Sequence, residues 1–526
     1  MAGSTSIWVS SEAKNDPPAI FNLRLLYLLV AVAWGGAFYG FDTGNISGIQ
    51  TLASFEKAFG MADMTTSEID NRKGIISAML AAGGSAGALL AAPTSDYLGR
   101  KWSVFLWAVI FIIGAAMQMV PTYNVLLAGR FIAGMGVGAS SMLTPQFLAE
   151  NSPQISSSYG VSKWSYPGVE TDNRQWQTAM AIQLIPGGLM CLMIPFVPET
   201  PRWLINHGKH EQGLANICKL RKLPPYHEYV QTEFREIEAQ VTYEQEFYAG
   251  HSYWVVIKDI FTLKNNFQRF FLAIMLFLFH KLTGTDSLNY YAPEIFDLIG
   301  VSGGSSNLLD TGIYGVVKVV TSLFYVSYLI DRIGRRIPLL VGATIQATCM
   351  LYLALYLRFA GTTDDSTGEG TPAGGIAGIV FIYIYAFGWS FGHSVAPYVL
   401  AAEVFPSRIR SFCMAICLFV DWIVDYGITR ATPNMITEMG WGVFLLYAML
   451  TYLGVVFIFF CMPELKGRSI ESMDALFDRP LWTMWRHAYP TEEGKVRSDV
   501  REIMAGKLQN HEDDNKREYV EHVETA

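Results

Sequence analysis

Eleven apolar stretches, each long enough to cross a bilayer as a helix, leave this chain few folds to choose from. A hydrocarbon core of ~30 Å takes about 20 apolar residues of helix, and helices satisfy their own backbone groups where no water can. The stretches lie at roughly 24–48, 74–94, 102–120, 124–148, 176–197, 268–291, 309–330, 337–358, 374–400, 409–430 and 441–462. Of 526 residues, 51% are hydrophobic and only 16% charged, whereas soluble domains run near about a quarter charged. Mean hydropathy is +0.26. The prediction is an all-α polytopic membrane protein. The net charge of −8 argues against a nucleic-acid partner. Five of the six cysteines (Cys191, Cys349, Cys413, Cys417, Cys461) lie in apolar runs and read as small buried hydrophobes, with Cys218 in a polar loop.

The spacing of the stretches divides the chain. Residues 1–23 are polar, lack a cleavable signal pattern and read as a cytoplasmic tail. Residues 24–199 form a first helical bundle. Residues 200–266 are rich in charge and helix formers and read as a cytoplasmic helical linker. Residues 267–463 form a second bundle, and 464–526 a charged cytoplasmic tail.

The two bundles repeat one another. SDYLGRK (Ser95–Lys101) recurs as DRIGRR (Asp331–Arg336), FLAENSP with Glu150 recurs as LAAEVFPSRIR with Glu403, and PETPRWL (Pro198–Leu204) recurs as PELKGRS (Pro463–Ser469). Three paired motifs in the same order indicate a duplicated unit. The positive-inside rule puts both basic loops on the cytoplasmic side, yet only five apolar stretches separate them. Two stretches lie between Glu403 and Pro463, but one between Glu150 and Pro198. The fifth helix of a twelve-helix protein is therefore expected in Asn151–Gln175, a polar segment that reads as lost or replaced. A splicing or gene-model error explains it most simply, and a chain with this segment is expected to misassemble, since polar backbone in lipid is not tolerated. Sequencing the cDNA across Glu150–Trp176 checks this: an apolar insertion of about 20 residues is the expected result, and an unchanged transcript contradicts it.

Eight motifs carry a family likeness in order along residues 40–471: GFDTG (Gly40–Gly44), SDYLGRK, AGRFIAGMGVG (Ala128–Gly138), PETPRWL, LTGTDSLNYYAPEIF (Leu282–Phe296), DRIGRR, AAEVFPSRIR and PELKGRS. On these, the chain resembles the sugar-porter branch of the major facilitator superfamily and looks most like its fungal members. The resemblance implies two pseudo-symmetric six-helix bundles, alternating access, and uptake of a sugar or polyol, often with a proton. It implies a multi-pass protein of the plasma membrane, acting as a monomer without a cofactor.

Asp42 stands in an otherwise apolar first span, where an unpaired carboxylate is expensive and must titrate or pair. Arg130, opening the fourth span, is the expected cation. In proton-coupled members of the family the matching pair couples proton to substrate; the alternative is a permanently ionised structural pair. The resemblance assigns Asp96, Arg100, Glu150, Asp331, Arg335, Arg336, Glu403 and Arg408 to a cytoplasmic salt-bridge latch, joined by Glu199, Arg202 and Glu464.

The substrate region departs from the family. Sugar porters usually read QQxxGxN at the start of the seventh helix, since amides suit neutral hydroxyls. Here the run is His280-Lys281-Leu-Thr-Gly284-Thr-Asp286, followed by Tyr290-Tyr291. The eleventh helix carries Asp421-Trp422 and Asp425, followed by Arg430, with the two aspartates at i, i+4 on one face. Lys318 lies in the eighth span, Trp389 and Tyr398 in the tenth, and Gln183 in IQLIPG, where it is expected to reach the cavity. Charges in a membrane interior face a pathway or each other. One reading is a carboxylate-bearing substrate, a uronic acid or quinate, pairing with Lys281 or His280. The other is internal pairing, Lys281 with Asp286 and Arg430 with Asp425, around a neutral hexose or pentose. A non-transporting sugar sensor and an inactive truncated isoform are the competing functions; the tail from Glu464 is shorter than sensors of this family carry. No enzyme motif rises above chance.

Overall fold

Two kinds of punctuation, polar caps and glycines, divide the apolar chain into helices. The computed structural model describes residues 22–61, 63–151, 174–248, 253–300, 304–325, 329, 333–359, 373–465, 476–487 and 489. Helix α1 (Leu23–Ile49) begins at Asn22, whose Oδ1 accepts from the backbone N–H groups of Arg24 and Leu25 at 2.9 and 3.1 Å. After the short α2 (Ala53–Ala58), α3 (Thr66–Leu98) begins where Glu68 accepts from the Thr65 backbone N–H at 2.9 Å. Gly99, at φ 89°, turns the chain into α4 (Arg100–Met117). Helices α5 (Tyr123–Asn151), α6 (Arg174–Ile182) and α7 (Leu184–Met193) complete the described part of the first half.

Four helices fill the middle: α8 (Pro201–Asn206), α9 (His210–Arg221), α10 (Glu228–Tyr248) and α11 (Tyr253–Thr262). A partly buried pair of Arg221 with Glu233, at 2.6 Å, ties α9 to α10, and Asn22 donates to the Leu220 carbonyl at 2.8 Å. The second half comprises α12 (Lys264–Leu282), α13 (Thr285–Leu298), α14 (Gly304–Phe324), α15 (Arg336–Phe359), α16 (Ala373–Phe391), α17 (Ala396–Val404), α18 (Ser407–Met439) and α19 (Trp441–Cys461).

Among the described residues, eight helical segments are long and apolar enough to cross a membrane, and three shorter apolar ones join them: Leu23–Gly36, Met180–Phe196 and Gly312–Phe324. Each coincides with one of the eleven expected stretches. Large apolar side chains such as Leu192, Val316, Val380 and Leu453 face outward and are exposed, as a lipid-facing surface requires. Residues 152–173, where the fifth span was expected, lie outside the described residues. Two predicted spans are interrupted. The stretch at 268–291 is two helices joined at Thr283–Gly284, and the stretch at 374–400 is two helices joined at residues 392–395.

Helix contacts in lipid rest on close packing rather than on the hydrophobic effect. Gly83 and Gly87 of α3 lie against the Phe131 and Met135 carbonyls of α5, and Gly134 and Gly138 of α5 against the Leu80 and Gly84 carbonyls of α3. Two four-residue glycine spacings thus bring two backbones together, leaving no room for a Cβ. The halves meet along α3 and α18. Asp70 accepts from Thr437 at 2.6 Å, Arg430 donates to Asn71, and the Trp422 ring lies over Gly84. Nearby, Lys73 of α3 bridges Glu56 at 3.4 Å and Glu294 of α13 at 3.3 Å. Replacing Gly134 by Val is expected to cost about 1–3 kcal/mol or more through overpacking. A lower melting temperature in detergent, with loss of the monodisperse peak, checks this.

Candidate functional site

A break in a membrane helix frees backbone groups and brings two helix ends into the interior. Gly284, at φ 81°, makes this break between α12 and α13, and the Tyr447 ring fills the space where a side chain would stand. His280 and Lys281 occupy the last turn of α12, and Asp286 the first turn of α13. Cations suit a helix C-terminus and anions an N-terminus, so the two half-helix dipoles favour this order of charges. Across the break, Lys281 Nζ lies 3.1 Å from Asp286 Oδ2.

Helix α18 supplies the other wall. Lys281 Nζ lies 3.4 Å from Asp425 Oδ2 and 3.7 Å from Asp421 Oδ2, and 5.5 Å from the Trp422 ring centre. His280 Nδ1 donates to Asp421 Oδ1 at 3.0 Å, and Thr429 donates to Asp425 Oδ1 at 2.8 Å. The side chains of His280, Lys281, Asp286, Asp421 and Asp425 are each at most 3% exposed. One lysine therefore serves three carboxylates.

Aromatic rings flank this cluster. The His280 ring centre lies 6.2 Å from that of Trp389, 6.1 Å from His393 and 5.9 Å, edge-on, from Tyr398. Tyr398 also meets the Phe277 ring edge-on at 5.1 Å. Lys318 on α14 sits 3.7 Å above the Trp389 ring and donates to Asn289 Oδ1 at 3.0 Å. Tyr290 and Tyr291 are buried, and Tyr291 donates to the Thr429 carbonyl at 3.0 Å. Trp422 donates to Ser141 of α5 at 3.3 Å, so its indole links the halves. Gln183, buried between α6 and α7, reaches Met180 Sδ at 3.8 Å.

Three polar residues near the cluster were not singled out from the sequence. Asn289 joins Lys318 and the Tyr314 hydroxyl, which donates to it at 3.3 Å. Gln346 donates to His393 Nδ1 at 2.7 Å. Asn289 lies one turn beyond Asp286, and Gln346 is a buried amide in the apolar α15; those were the available signals. One expected pairing is corrected. Arg430 does not pair with Asp425; it donates to Asn71 on α3. Five residues at about 100° each turn its side chain some 140° away from Asp425, toward the other half.

Asp42 and Arg130 come together in the first half. Their Oδ1 and Nη1 atoms are 3.5 Å apart, with Asp42 1% exposed and Arg130 fully buried. Arg130 also reaches Gln118 Oε1 at 3.5 Å, and its Nε donates to the Ile76 carbonyl at 2.5 Å.

At the ends carrying the basic loops, the repeated motifs form two similar joints. Arg100 pairs with Asp96 at 3.2 Å, and Arg335 with Glu403 at 2.8 Å. Glu199 accepts from the backbone N–H groups of Arg100 and Lys101 at 3.0 and 3.1 Å. Glu464 does the same for Arg335 and Arg336, at 2.9 and 3.0 Å. The two glutamates thus hold the starts of α4 and α15, just after Gly99 and Gly334 at φ 89° and 86°. The Arg336 guanidinium donates to the Phe459 carbonyl at 2.7 Å, and Arg202 stands in the first turn of α8. Asp331 and the side chains of Glu150 and Arg408 lie outside the described residues.

Replacing Lys281 by Met leaves three buried carboxylates without their shared cation, a change that costs about 3–5 kcal/mol in comparable buried pairs. Melting temperature in detergent is expected to fall sharply. Adding Asp425→Asn in the same chain is expected to recover part of the loss, and a further fall on adding it would contradict the shared-lysine geometry.

Three comparisons bear on this architecture. The family model described as Sugar (and other) transporter matches residues 28–477. The chain is 34% identical over 525 residues to a probable quinate permease of Aspergillus fumigatus, covering 95% of both chains. It is 34% identical over 502 residues to the quinate permease of Emericella nidulans, covering 91% of this chain and 93% of that protein. The proton:xylose symporter XylE, bound to 6-bromo-6-deoxy-D-glucose, superposes with a TM-score of 0.70 at 21% identity, over 86% of this chain and 99% of that chain. XylE of E. coli in a partially occluded inward-open form gives a TM-score of 0.65. These likenesses show the major facilitator fold, and the chain belongs to the sugar transporter family of that superfamily: a multi-pass membrane transporter, not an enzyme.

Proposed function

We propose that this chain carries a small polyhydroxylated carboxylic acid, of the quinate or uronate class, across the plasma membrane together with a proton, by alternating access. The observation that carries the reading is the joint between α12 and α13. There, His280 and Lys281 stand where sugar porters usually place two amides, at a break of the kind that lines transporter binding sites. The full-length relatives named as quinate permeases support an acid as substrate. Trp389 and Tyr398, flanking His280, offer flat apolar faces for a carbon ring, and Lys318 a second cation. The positive-inside rule puts the GRK and GRR loops in the cytoplasm.

The proton role falls to Asp42. Protonation of its carboxylate cancels the charge that holds Arg130, and among the described residues the guanidinium is then held by Gln118 and the Ile76 carbonyl. Loss of this buried attraction lets the first half rearrange around α1 and α5.

Uptake of labelled quinate, galacturonate, xylose and glucose into transport-deficient yeast, with and without a protonophore, tests the assignment. Quinate or galacturonate uptake that the protonophore abolishes is expected. Asp42→Asn is expected to lower accumulation at least tenfold while exchange of substrate for substrate persists. Uptake of the neutral sugars alone would replace the acid by a hexose or pentose. The polar segment 151–175 favours a second reading, an inactive isoform. Clean delivery of a fluorescent fusion to the plasma membrane with normal uptake overturns it.

A further inference from the structure

Charge count sets the problem. Asp286, Asp421 and Asp425 have as their cationic partners only Lys281 and His280 among the described residues. With His280 neutral the cluster carries two net negative charges, and with His280 charged it carries one. A net negative cluster in the membrane interior is expensive, and uptake of a proton lowers that charge.

The imidazole points the same way. A carboxylate only accepts, so His280 Nδ1 carries the hydrogen that binds Asp421. In the neutral ring, Nε2 is then a bare lone pair. It is buried and has no hydrogen-bond partner among the described residues. Leaving such an atom buried and unpaired costs about 1–3 kcal/mol, which a bound proton or a donor hydroxyl would relieve.

We propose that His280, Lys281, Asp286, Asp421 and Asp425 form a second proton-binding site, separate from the Asp42–Arg130 pair and lying in the second half of the molecule. A proton adds to His280 Nε2 or to a carboxylate oxygen, forming one N–H or O–H bond and removing one net negative charge. On a carboxylate, it weakens the attraction of that group for Lys281. The ammonium then has an N–H to offer a substrate carboxylate or hydroxyl. This last step rests on the transport reading above; the protonation site does not. The other titratable groups facing the cluster are Cys417 on α18, Tyr314 on α14, Tyr385 on α16, Tyr398 on α17, Tyr447 on α19 and His393. The thiol and phenols ordinarily stay neutral near pH 7, and His393 accepts from the Gln346 amide rather than meeting a carboxylate. Lys318 lies above Trp389 and bonds Asn289.

Infrared difference spectroscopy of the purified full chain in lipid tests the site without any substrate. The pH is stepped from about 8 to about 4, through the ordinary imidazole range and toward the ordinary carboxylate range. The carbonyl stretch of a protonated carboxyl is expected in wild type and in Asp42→Asn. It is expected to shrink when Asp425→Asn is added to Asp42→Asn, a change that keeps an acceptor for Thr429. His280→Gln is expected to shift its midpoint, because Asp421 loses the imidazole. A spectrum of Asp42→Asn with neither that stretch nor a change in the imidazole ring modes that His280→Gln removes overturns the proposal, since the cluster would then keep a fixed protonation. So does a stretch that is identical in Asp42→Asn with and without each of the three cluster aspartates. Failure to find an acid substrate in the uptake assay leaves this result untouched, so the two readings fail separately.

Discussion

Lys281, shared by three aspartates at the joint of a broken helix, is the interaction on which the second half of this transporter depends. The ammonium joins α12, α13 and α18 through contacts of 3.1 to 3.7 Å in a site almost closed to solvent. Buried charges cost several kcal/mol each to desolvate, and such a group is retained only where geometry and partners repay it. Here the partners are unequal in number, and on that inequality rests the proposal that the group exchanges protons. The break itself is a condition of the arrangement. An unbroken helix from Lys264 to Leu298 would put Lys281 and Asp286 some 140° apart around its axis; the turn at Gly284 brings them to 3.1 Å.

Around this site the fold uses small residues and repeated polar joints. The glycine spacings of α3 and α5 give the first half a close-packed seam, and the face of α3 that meets α18 carries several of the contacts between halves. Trp422 belongs to both arrangements, since its ring lies 5.5 Å from Lys281 and its N–H reaches Ser141. A change of charge at Lys281 therefore acts one side chain away from the interface between halves. At the basic loops, Glu199 and Glu464 bind backbone N–H groups at the starts of α4 and α15, where a helix dipole favours an anion. Their duplication follows from the duplicated motifs.

Much of this was legible in the sequence, for reasons that differ by feature. The spans were readable because a bilayer imposes length and polarity on every helix that crosses it, and all eleven stretches became helical. The interruptions were harder. A single glycine, Gly284, marks the break between α12 and α13, and the same residue type fills uninterrupted helices elsewhere as a packing device. Charged residues in apolar runs flagged His280, Lys281, Asp421 and Asp425, and Asp42 with Arg130, before any geometry was known. The pairings of Asp42 with Arg130 and of Lys281 with Asp286 were anticipated; those of His280 and Lys281 with Asp421 and Asp425 were not, because nothing local links α12 to α18. Asp425 lies 3.4 Å from Lys281, while Arg430, nearer in sequence, turns to Asn71 on the other half. Neutral partners such as Gln346 and Asn289 carry no such flag, since an amide is unremarkable in a membrane helix until a charge or an imidazole is placed beside it.

The two proposed protonation sites and the proposed anionic substrate together make a definite electrical prediction. The measurement that tests it most directly is charge moved per substrate in proteoliposomes, read as the reversal potential of quinate flux under opposed proton and quinate gradients. Two protons with one carboxylate carry one net positive charge inward, so the reversal point must shift with membrane potential, and Asp425→Asn must abolish that shift. A flux whose reversal ignores membrane potential means one proton per anion, and would contradict the carrying of a second proton by the Lys281 cluster during transport.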